Sequence, residues 1–429
     1  MLIVVRGRRK LTAEKERNRV PIRKKRHVLD ERIPWASGLA VALLALIVLG
    51  STVVVFPVAG VSADLLSQHL WLDAMPVASS PLYGMVARMV DGLVPGTPAA
   101  ALNLFSLVCG VGAVLLFFQL NARLLQTLCP AQSVGVYVLC GVSAALYLVA
   151  CVPFWIVCSR AHSLSFQVFL LLLALFLLGE YQRTRRIRMM YVFAFVFGIG
   201  LAEYPVFVVL AWPLAMLTLF LMRKRGHLRP SRRKRYLLTG VGWALAGFLL
   251  VLIPACWQLI RSPAEVWIQD AGFLRMLRRL LSAELAQALA MVPRTGWILI
   301  GMVTLFPWAI CVVETRRPAA LGHLPSLFLY GGLGVLPLII LFGGPLAPAE
   351  VARAGHPLVA PYPFIASTFG LVVNYWRAAV TGLWEKRSWG REWLRNGFIA
   401  LLPCTLIAGP LVNHAQVSPE PARVLYACA

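Results

Sequence analysis

Charged residues are scarce in this chain, at 14% of the composition, and acidic ones are scarcest, with 17 Asp and Glu against 41 Lys and Arg. Hydrophobic residues make up 59% of the chain. Repeated apolar runs approach the ~20 residues that a helix needs to cross a bilayer. Segments such as 36–58 are apolar on every face, without the alternation of a membrane strand. The composition therefore predicts an all-α integral membrane protein rather than a soluble one.

Several common motifs are also missing. The sequence has no G-x-x-x-x-G-K-[ST], no H-E-x-x-H and no dinucleotide fingerprint. Its nine cysteines form no C-x-x-C pair, and most lie inside apolar runs, where Cys behaves as a small hydrophobe. We therefore predict no metal site, disulfide framework or cofactor. The inward loops are too short for a nucleotide-binding domain of ~100 residues, so an activated donor would arrive already attached to a lipid.

The net charge of +24 does not indicate a nucleic-acid partner, because the basic residues cluster beside the apolar runs, as the positive-inside rule predicts. Twelve of them lie in residues 1–33, which we interpret as a cytoplasmic tail. This tail either contacts anionic lipid headgroups or only sets the topology. The apolar segment before Val61-Ser62-Ala63 is ~21 residues long, beyond the ~7–15 of a signal-peptide core, and predicts an uncleaved anchor.

The charge pattern predicts about eleven spans, with the N-terminus inside and the C-terminus outside. Basic residues flank segment 190–221 on both sides, so it must cross twice, with its turn at Glu203-Tyr204-Pro205, where proline breaks the helix. The other predicted spans are 36–58, 99–121, 134–157, 164–181, 237–259, 296–314, 324–343, 360–376 and 397–413. We divide the chain into a membrane core at 34–221 with an outward loop at 59–98, further helices at 222–413, and an outward tail at 414–429.

The outward loop 260–295 carries more arginines than the positive-inside rule allows. Its leucines recur at helical spacing with arginines on the other side, which is typical of a helix lying in the membrane interface. Arg275, Arg278 and Arg279 are therefore candidates for binding a lipid phosphate. The alternative is an amphipathic helix that only covers the bundle.

Outward-facing acids are few, so each is a candidate for chemistry. Asp64 follows the first span closely, and partial burial there would raise its pKa and favour a general-base role. Capping of a helix over residues 65–72 is the alternative. Asp73 follows Trp71, and an aromatic residue beside an acid can hold a sugar, although Trp71 also fits an interfacial anchor. His69 lies in the same loop and is a candidate for binding the substrate or its phosphate.

A short polar link, 159–163, joins the third and fourth spans on the outer side. Arg160 and His162 lie in it. A guanidinium offers paired donors to phosphate oxygens, so both residues are candidates for holding a lipid-linked phosphate. The alternative for Arg160 is an arginine whose head group only reaches the lipid headgroups.

Six short elements, spread over roughly residues 36–215, resemble a family of membrane proteins that includes a protein O-mannosyltransferase. Besides the acidic loop after the first span they are Pro81-Leu82-Tyr83, Val94-Pro95-Gly96-Thr97-Pro98, Asn103-Leu104-Phe105-Ser106, Phe154-Trp155 and Gly198-Ile199-Gly200-Leu201. The chain also departs from the family pattern. The Asp-Ser-Gly-Glu-like element is here Val61-Ser62-Ala63-Asp64, the Glu expected after Phe-Trp is matched by His162, and the expected Asn-His pair is Glu203-Tyr204.

The resemblance implies a GT-C-type glycosyltransferase in a bacterial inner membrane. It would move a hexose, such as mannose, from a polyprenyl-phosphate donor to a protein or envelope glycan on the outer face. Asp64 would be the base, Glu203 would replace a lost acid, and the arginines and His162 would hold the leaving phosphate. Two alternatives remain open: a non-catalytic lipid-sugar binder or scaffold, and a transporter or flippase. A partner protein could supply acceptor binding.

Overall fold

The computed structural model describes residues 33–53, 62, 65–66, 81–130, 132–225, 227, 230–260, 294–316, 322–342, 359, 361–387 and 392–417. Within these residues all regular structure is helical, which confirms the predicted all-α class. The helices are α1 (Trp35–Gly50), α2 (Pro81–Asp91), α3 (Pro98–Leu128), α4 (Val134–Ala150), α5 (Val152–Ser159), α6 (Ser163–Thr184), α7 (Ile187–Glu203), α8 (Pro205–Lys224), α9 (Pro230–Ile260), α10 (Arg294–Arg316), α11 (His323–Phe342), α12 (Pro361–Arg387) and α13 (Glu392–Val417).

Several of these helices are long and apolar enough to cross a membrane. Four pass on length and composition, in α3, α6, α11 and α13, and the bent pair α4–α5 makes a possible fifth. Two shorter apolar helices, Trp35–Gly50 and Ile300–Ile310, also lie in the described part of the chain. The protein is therefore an integral membrane protein, whereas eleven spans and the orientation of the termini stay predictions.

One predicted span, 134–157, is not a single helix. It breaks at Cys151 into α4 and α5, which meet at 70°. Cys151 is extended, and Pro153 follows it in the first turn of α5. Proline lacks the N–H that would continue the ladder and its ring clashes with the preceding turn, so the chain can resume only as a new helix.

The predicted break at Glu203-Tyr204-Pro205 is confirmed. α7 ends at Glu203, Tyr204 is extended with φ −139° and ψ 115°, and α8 begins at Pro205. A residue that precedes proline avoids the helical region, which explains the position of the break. The segment 190–221 therefore contains two helices, as the flanking charges predicted.

The buried apolar residues that the structure describes form two cores, which share α3 and α6. The first core joins α1, α4 and α5 to α10–α13, and the second joins α2 to α7–α9. Each of the two shared helices has one face in each core, since Ala113 and Val168 belong to the first and Phe105 and Leu170 to the second. The predicted division at residue 221 stays a prediction.

Small residues bring α7 and α9 into backbone contact. A Cβ placed on Gly198 would lie 1.9 Å from the carbonyl oxygen of Ala244, and one on Gly247 would lie 2.1 Å from that of Phe195. Membrane helices associate closely where such residues face each other, because no side chain separates the backbones. The Gly198-Ile199-Gly200-Leu201 element is therefore a packing surface that fixes the end of α7.

Candidate functional site

Two polar residues one turn apart on α3 begin the site. Thr97 caps this helix by accepting a hydrogen bond from the Ala100 amide at 3.3 Å, and Pro98 occupies its first turn. Asn103 and Ser106 then lie on one face, since residues three apart in a helix are neighbours. Both are buried. Buried polar side chains need hydrogen-bond partners, which here come from another part of the chain.

Those partners are the main-chain groups of the link between α5 and α6. Asn103 Oδ1 accepts from the Ala161 amide at 2.6 Å, and Ser106 Oγ accepts from the His162 amide at 3.1 Å. Ser62 Oγ donates to the Ala161 carbonyl at 2.9 Å. A buried loop must satisfy its backbone polar groups, and these three side chains do so. The Asn103-Leu104-Phe105-Ser106 element therefore holds the segment that carries Arg160 and His162.

His162 begins α6. Its Nδ1 accepts from the Leu164 amide at 3.1 Å, and Ser165 Oγ donates to its carbonyl at 2.8 Å. A ring nitrogen that accepts carries no proton, so the neutral imidazole has its N–H on Nε2. The capping contact therefore fixes the position of the ring at the start of α6.

The Arg160 side chain connects this link to α13. Its Nη2 donates to the carbonyl of Val417, the final residue of α13, at 2.8 Å. The last carbonyls of a helix have no partner within it and carry partial negative charge, which favours a cation. α13 is held nearby by Asn413 Nδ2, which donates to the Ala150 carbonyl at 2.9 Å and the Leu341 carbonyl at 3.2 Å. α13 is thus part of the site's framework.

Glu203 lies at the junction of α7 and α8, with 1% of its surface exposed. Its Oε2 accepts from the Leu82 amide and its Oε1 from the Tyr83 amide, both at 3.0 Å. The Tyr83 hydroxyl lies 3.2 Å from Ser106 Oγ. Burial raises the pKa of Tyr83 above its ordinary value, so its hydroxyl stays protonated. The α2 helix is therefore tied at one end to Glu203 and through Tyr83 to α3.

These contacts, together with a hydrogen bond from Gln167 to the Glu203 main chain, define what we call the polar cluster: Ser62, Tyr83, Asn103, Ser106, Arg160, His162, Gln167 and Glu203. Three of the predicted site residues, Arg160, His162 and Glu203, lie in it. The other six predicted residues, namely Asp64, His69, Asp73, Arg275, Arg278 and Arg279, lie outside the described residues, and their roles stay predictions. Ser62 and Leu65 lie on either side of Asp64 in the sequence. Ser62 belongs to the cluster through its contact with Ala161, and Leu65 belongs to the second core.

We did not predict from the sequence that four side chains would hold the site together by hydrogen bonds, namely those of Tyr83, Asn103, Ser106 and Gln167. Gln167 Nε2 donates to the Glu203 carbonyl at 2.9 Å, so it fixes the main chain beside the carboxylate. A sequence signal did exist for Asn103 and Ser106, since they are polar residues at i and i+3 in the otherwise apolar segment 98–118 of α3. The described residues contain no group of three His, Cys, Asp or Glu side chains arranged to bind a metal.

A second charged group lies near the other end of α3. Arg123 pairs with Glu180, which also accepts from Arg183 at 3.1 Å, and the Arg123 guanidinium lies 4.6 Å from the Phe176 ring centroid. Asn103 and Arg123 are twenty positions apart, which is roughly 30 Å along a helix. This carboxylate is already paired and far from the polar cluster, so it joins α3 to α6 rather than extending the site.

Residues 76–228 match the family model described as the protein O-mannosyl-transferase TMEM260 N-terminal domain. No curated protein matches the chain. The match confirms the resemblance to the O-mannosyltransferase family over about a third of the chain. It contains Tyr83, Asn103, Ser106, Arg160, His162 and Glu203 of the polar cluster, and it begins after Asp64 and ends before α9–α13.

Proposed function

We propose that the protein is a membrane glycosyltransferase that moves a mannose residue from a polyprenyl-phosphate donor to a hydroxyl of a protein or envelope glycan. Transfer takes place on the outer face of a bacterial inner membrane. The match to an O-mannosyl-transferase domain supports the class of reaction. The observation that carries the proposal is the convergence of that domain's separate sequence elements on one polar cluster, through Tyr83, Asn103, Ser106 and the link 160–162.

In the proposed reaction the acceptor oxygen attacks the anomeric carbon. The bond between that carbon and the phosphate oxygen breaks, and the lipid phosphate leaves with the electron pair. Asp64 takes the acceptor proton, which is the task of a general base. Asp64 follows Ser62 by two residues, and Ser62 is the serine of the element where family members carry acids. Ser62 itself lies beside the link, since its Oγ donates to the Ala161 carbonyl.

Hydrogen-bond donors stabilise the departing phosphate. Negative charge develops on the leaving oxygen, and donors fixed in advance lower the barrier most effectively. His162 and Arg160 both carry N–H donors, and one donor of the Arg160 guanidinium reaches the Val417 carbonyl. We assign these two residues to the phosphate, with Arg275, Arg278 and Arg279 of the 260–295 loop as further contacts.

The test is sugar transfer by the purified full-length protein in lipid nanodiscs. The donors are polyprenyl-phosphate mannose and polyprenyl-phosphate glucose, each with a radiolabelled sugar, and a secreted-protein fraction is the acceptor. We expect label in protein from the mannose donor and release of the polyprenyl phosphate. Hydrolysis without acceptor labelling would indicate that a partner protein supplies the acceptor. Absence of both transfer and hydrolysis would overturn the proposal.

A second candidate is a non-catalytic protein that binds the lipid-linked sugar. It is favoured by one observation, that Val61 occupies the place of the first family acid. The same nanodiscs distinguish the two, because a binder retains the labelled donor at equilibrium and releases it unchanged. A transporter or flippase would instead move the labelled donor between leaflets of a sealed vesicle.

A further inference from the structure

The start of α2 is held by a carboxylate 120 residues away in the sequence. The first amides of a helix have no partner within it, and Pro81 has no amide hydrogen, so Leu82 and Tyr83 supply the first free donors. Each donates to a different oxygen of Glu203, at 3.0 Å. A negative charge at this end also meets the positive end of the helix dipole. Both oxygens are thus occupied by the same helix end.

Glu203 is itself fixed from the other side. Its carbonyl accepts from Gln167 Nε2 at 2.9 Å, and the next amide, that of Tyr204, donates to the Gly200 carbonyl at 2.8 Å. The Phe207 ring packs directly against Gly200, since a Cβ added to Gly200 would lie 2.5 Å from that ring. Moving the Glu203 carboxylate toward a substrate would break its hydrogen bonds with the Leu82 and Tyr83 amides.

The helix end that Glu203 anchors is connected by further contacts to the link that carries Arg160 and His162. The second capped residue, Tyr83, packs its ring against Phe105 and Phe166 and places its hydroxyl 3.2 Å from Ser106 Oγ. Ser106 accepts from the amide of His162. A continuous series of contacts therefore runs from the Glu203 carboxylate through α2 and α3 to the link 160–162.

We propose that Glu203 is a positioning residue: its carboxylate anchors α2, and through Tyr83 and Ser106 it sets the position of His162. It does not act as the proton acceptor. This inference rests on the proposed transferase activity. The resemblance implied that Glu203 replaces a lost acid, whereas the inference gives its carboxylate a positioning role.

The test combines amide exchange with kinetics on the full-length protein in lipid nanodiscs. Deuterium uptake at Leu82 and Tyr83 is measured by mass spectrometry in the wild type, Glu203→Gln, Glu203→Ala and Glu203→Asp. The control is Glu392→Gln, at a glutamate in the first turn of α13 whose side chain is 86% exposed. The same proteins are assayed for mannose transfer from polyprenyl-phosphate mannose between pH 5.5 and 8.5.

We expect exchange at Leu82 and Tyr83 to accelerate roughly tenfold in Glu203→Gln and further in Glu203→Ala, as for the loss of a helix cap. Glu203→Asp keeps two acceptor oxygens and should recover part of the protection. The kcat/KM of Glu203→Gln should fall roughly tenfold, while the midpoint of its pH profile stays that of the wild type. Glu392→Gln should change neither property.

Two results would overturn the inference. The first is unchanged exchange at Leu82 and Tyr83 in folded Glu203→Gln and Glu203→Ala, checked by size exclusion. The second is loss of the basic limb of the pH profile in Glu203→Gln, which would make this carboxylate the proton acceptor. If the wild type shows neither transfer nor hydrolysis, the proposed function fails by itself, and the exchange measurement still decides whether Glu203 anchors α2.

Discussion

Asn103 Oδ1 accepts a hydrogen bond from the amide of Ala161, 58 residues away, at 2.6 Å. This contact fixes the main chain between Arg160 and His162 to the first turns of α3. Ser106 makes the adjacent contact one turn further along. The position of the phosphate-binding candidates therefore depends on α3 rather than on their own short link.

Asn103→Ala should destabilise the protein. The Ala161 amide would stay buried without its acceptor, which costs about 1–3 kcal/mol. The measurement is the thermal unfolding midpoint of the purified protein in detergent. Thr127→Ala, at an exposed position of the same helix, is the matched control and should stay within about 0.5 kcal/mol of the wild type. Equal midpoints for Asn103→Ala and the wild type would contradict the holding role.

The sequence allowed the prediction of those features that have local causes. The break at Tyr204 follows from Pro205 and from a lone carboxylate in an apolar run, and both signals are visible without the fold. The bend at Cys151 was missed, because Pro153 lies in a uniformly apolar stretch where no polar residue marks a helix end. The contacts of Glu203 with Leu82 and of Asn103 with Ala161 depend on tertiary packing, so the hydrophobic periodicity of the sequence does not predict these partners.

Gly198→Ala should strongly destabilise the α7–α9 contact. The added Cβ would meet the Ala244 carbonyl at 1.9 Å, and backbone cannot yield as a flexible side chain can. Overpacking of this kind costs about 1–3 kcal/mol or more. Gly242→Ala is the control on α9, since an added Cβ there meets nothing within 4 Å. The unfolding midpoints of the two variants should differ clearly, and similar values would contradict the close packing.

Arg160→Lys should weaken donor binding. Lysine is a point charge without the planar fork that can bind Val417 and a phosphate together. We expect the donor KM to rise roughly tenfold, equivalent to about 1.4 kcal/mol, with a smaller change in kcat. Arg183→Lys, in the Glu180 pair near the other end of α3, should leave the KM unchanged. An unchanged donor KM in Arg160→Lys would contradict a role in donor binding and leave Arg160 only its structural contact with α13.

His227 should make stability depend on pH. Its Nδ1 lies 2.7 Å from the Tyr181 hydroxyl, and its ring meets Tyr236 edge-on. Burial, and then the charge of Arg225, lowers the pKa of His227 in the folded protein. Folding therefore favours the neutral ring, and this contribution is present above the unfolded pKa of about 6.5 and is lost as the pH falls below it.

The unfolding midpoint should therefore drop between pH 7.5 and 5.5, and His227→Gln should reduce that drop. The comparison of wild type with variant isolates this ring from the other histidines of the chain. An identical pH dependence in both proteins would contradict the assignment.

The central claim is that the chain transfers a sugar with Asp64 as the base, and one comparison tests it most directly. Labelled polyprenyl-phosphate mannose is given to the wild type and to Asp64→Asn in nanodiscs, and both acceptor labelling and donor binding are measured. The account predicts turnover by the wild type, and a loss of roughly a hundredfold or more in a variant that still binds the donor, since general acid–base catalysis contributes about that factor. Equal turnover by the two proteins, or donor binding without turnover in either, would contradict it.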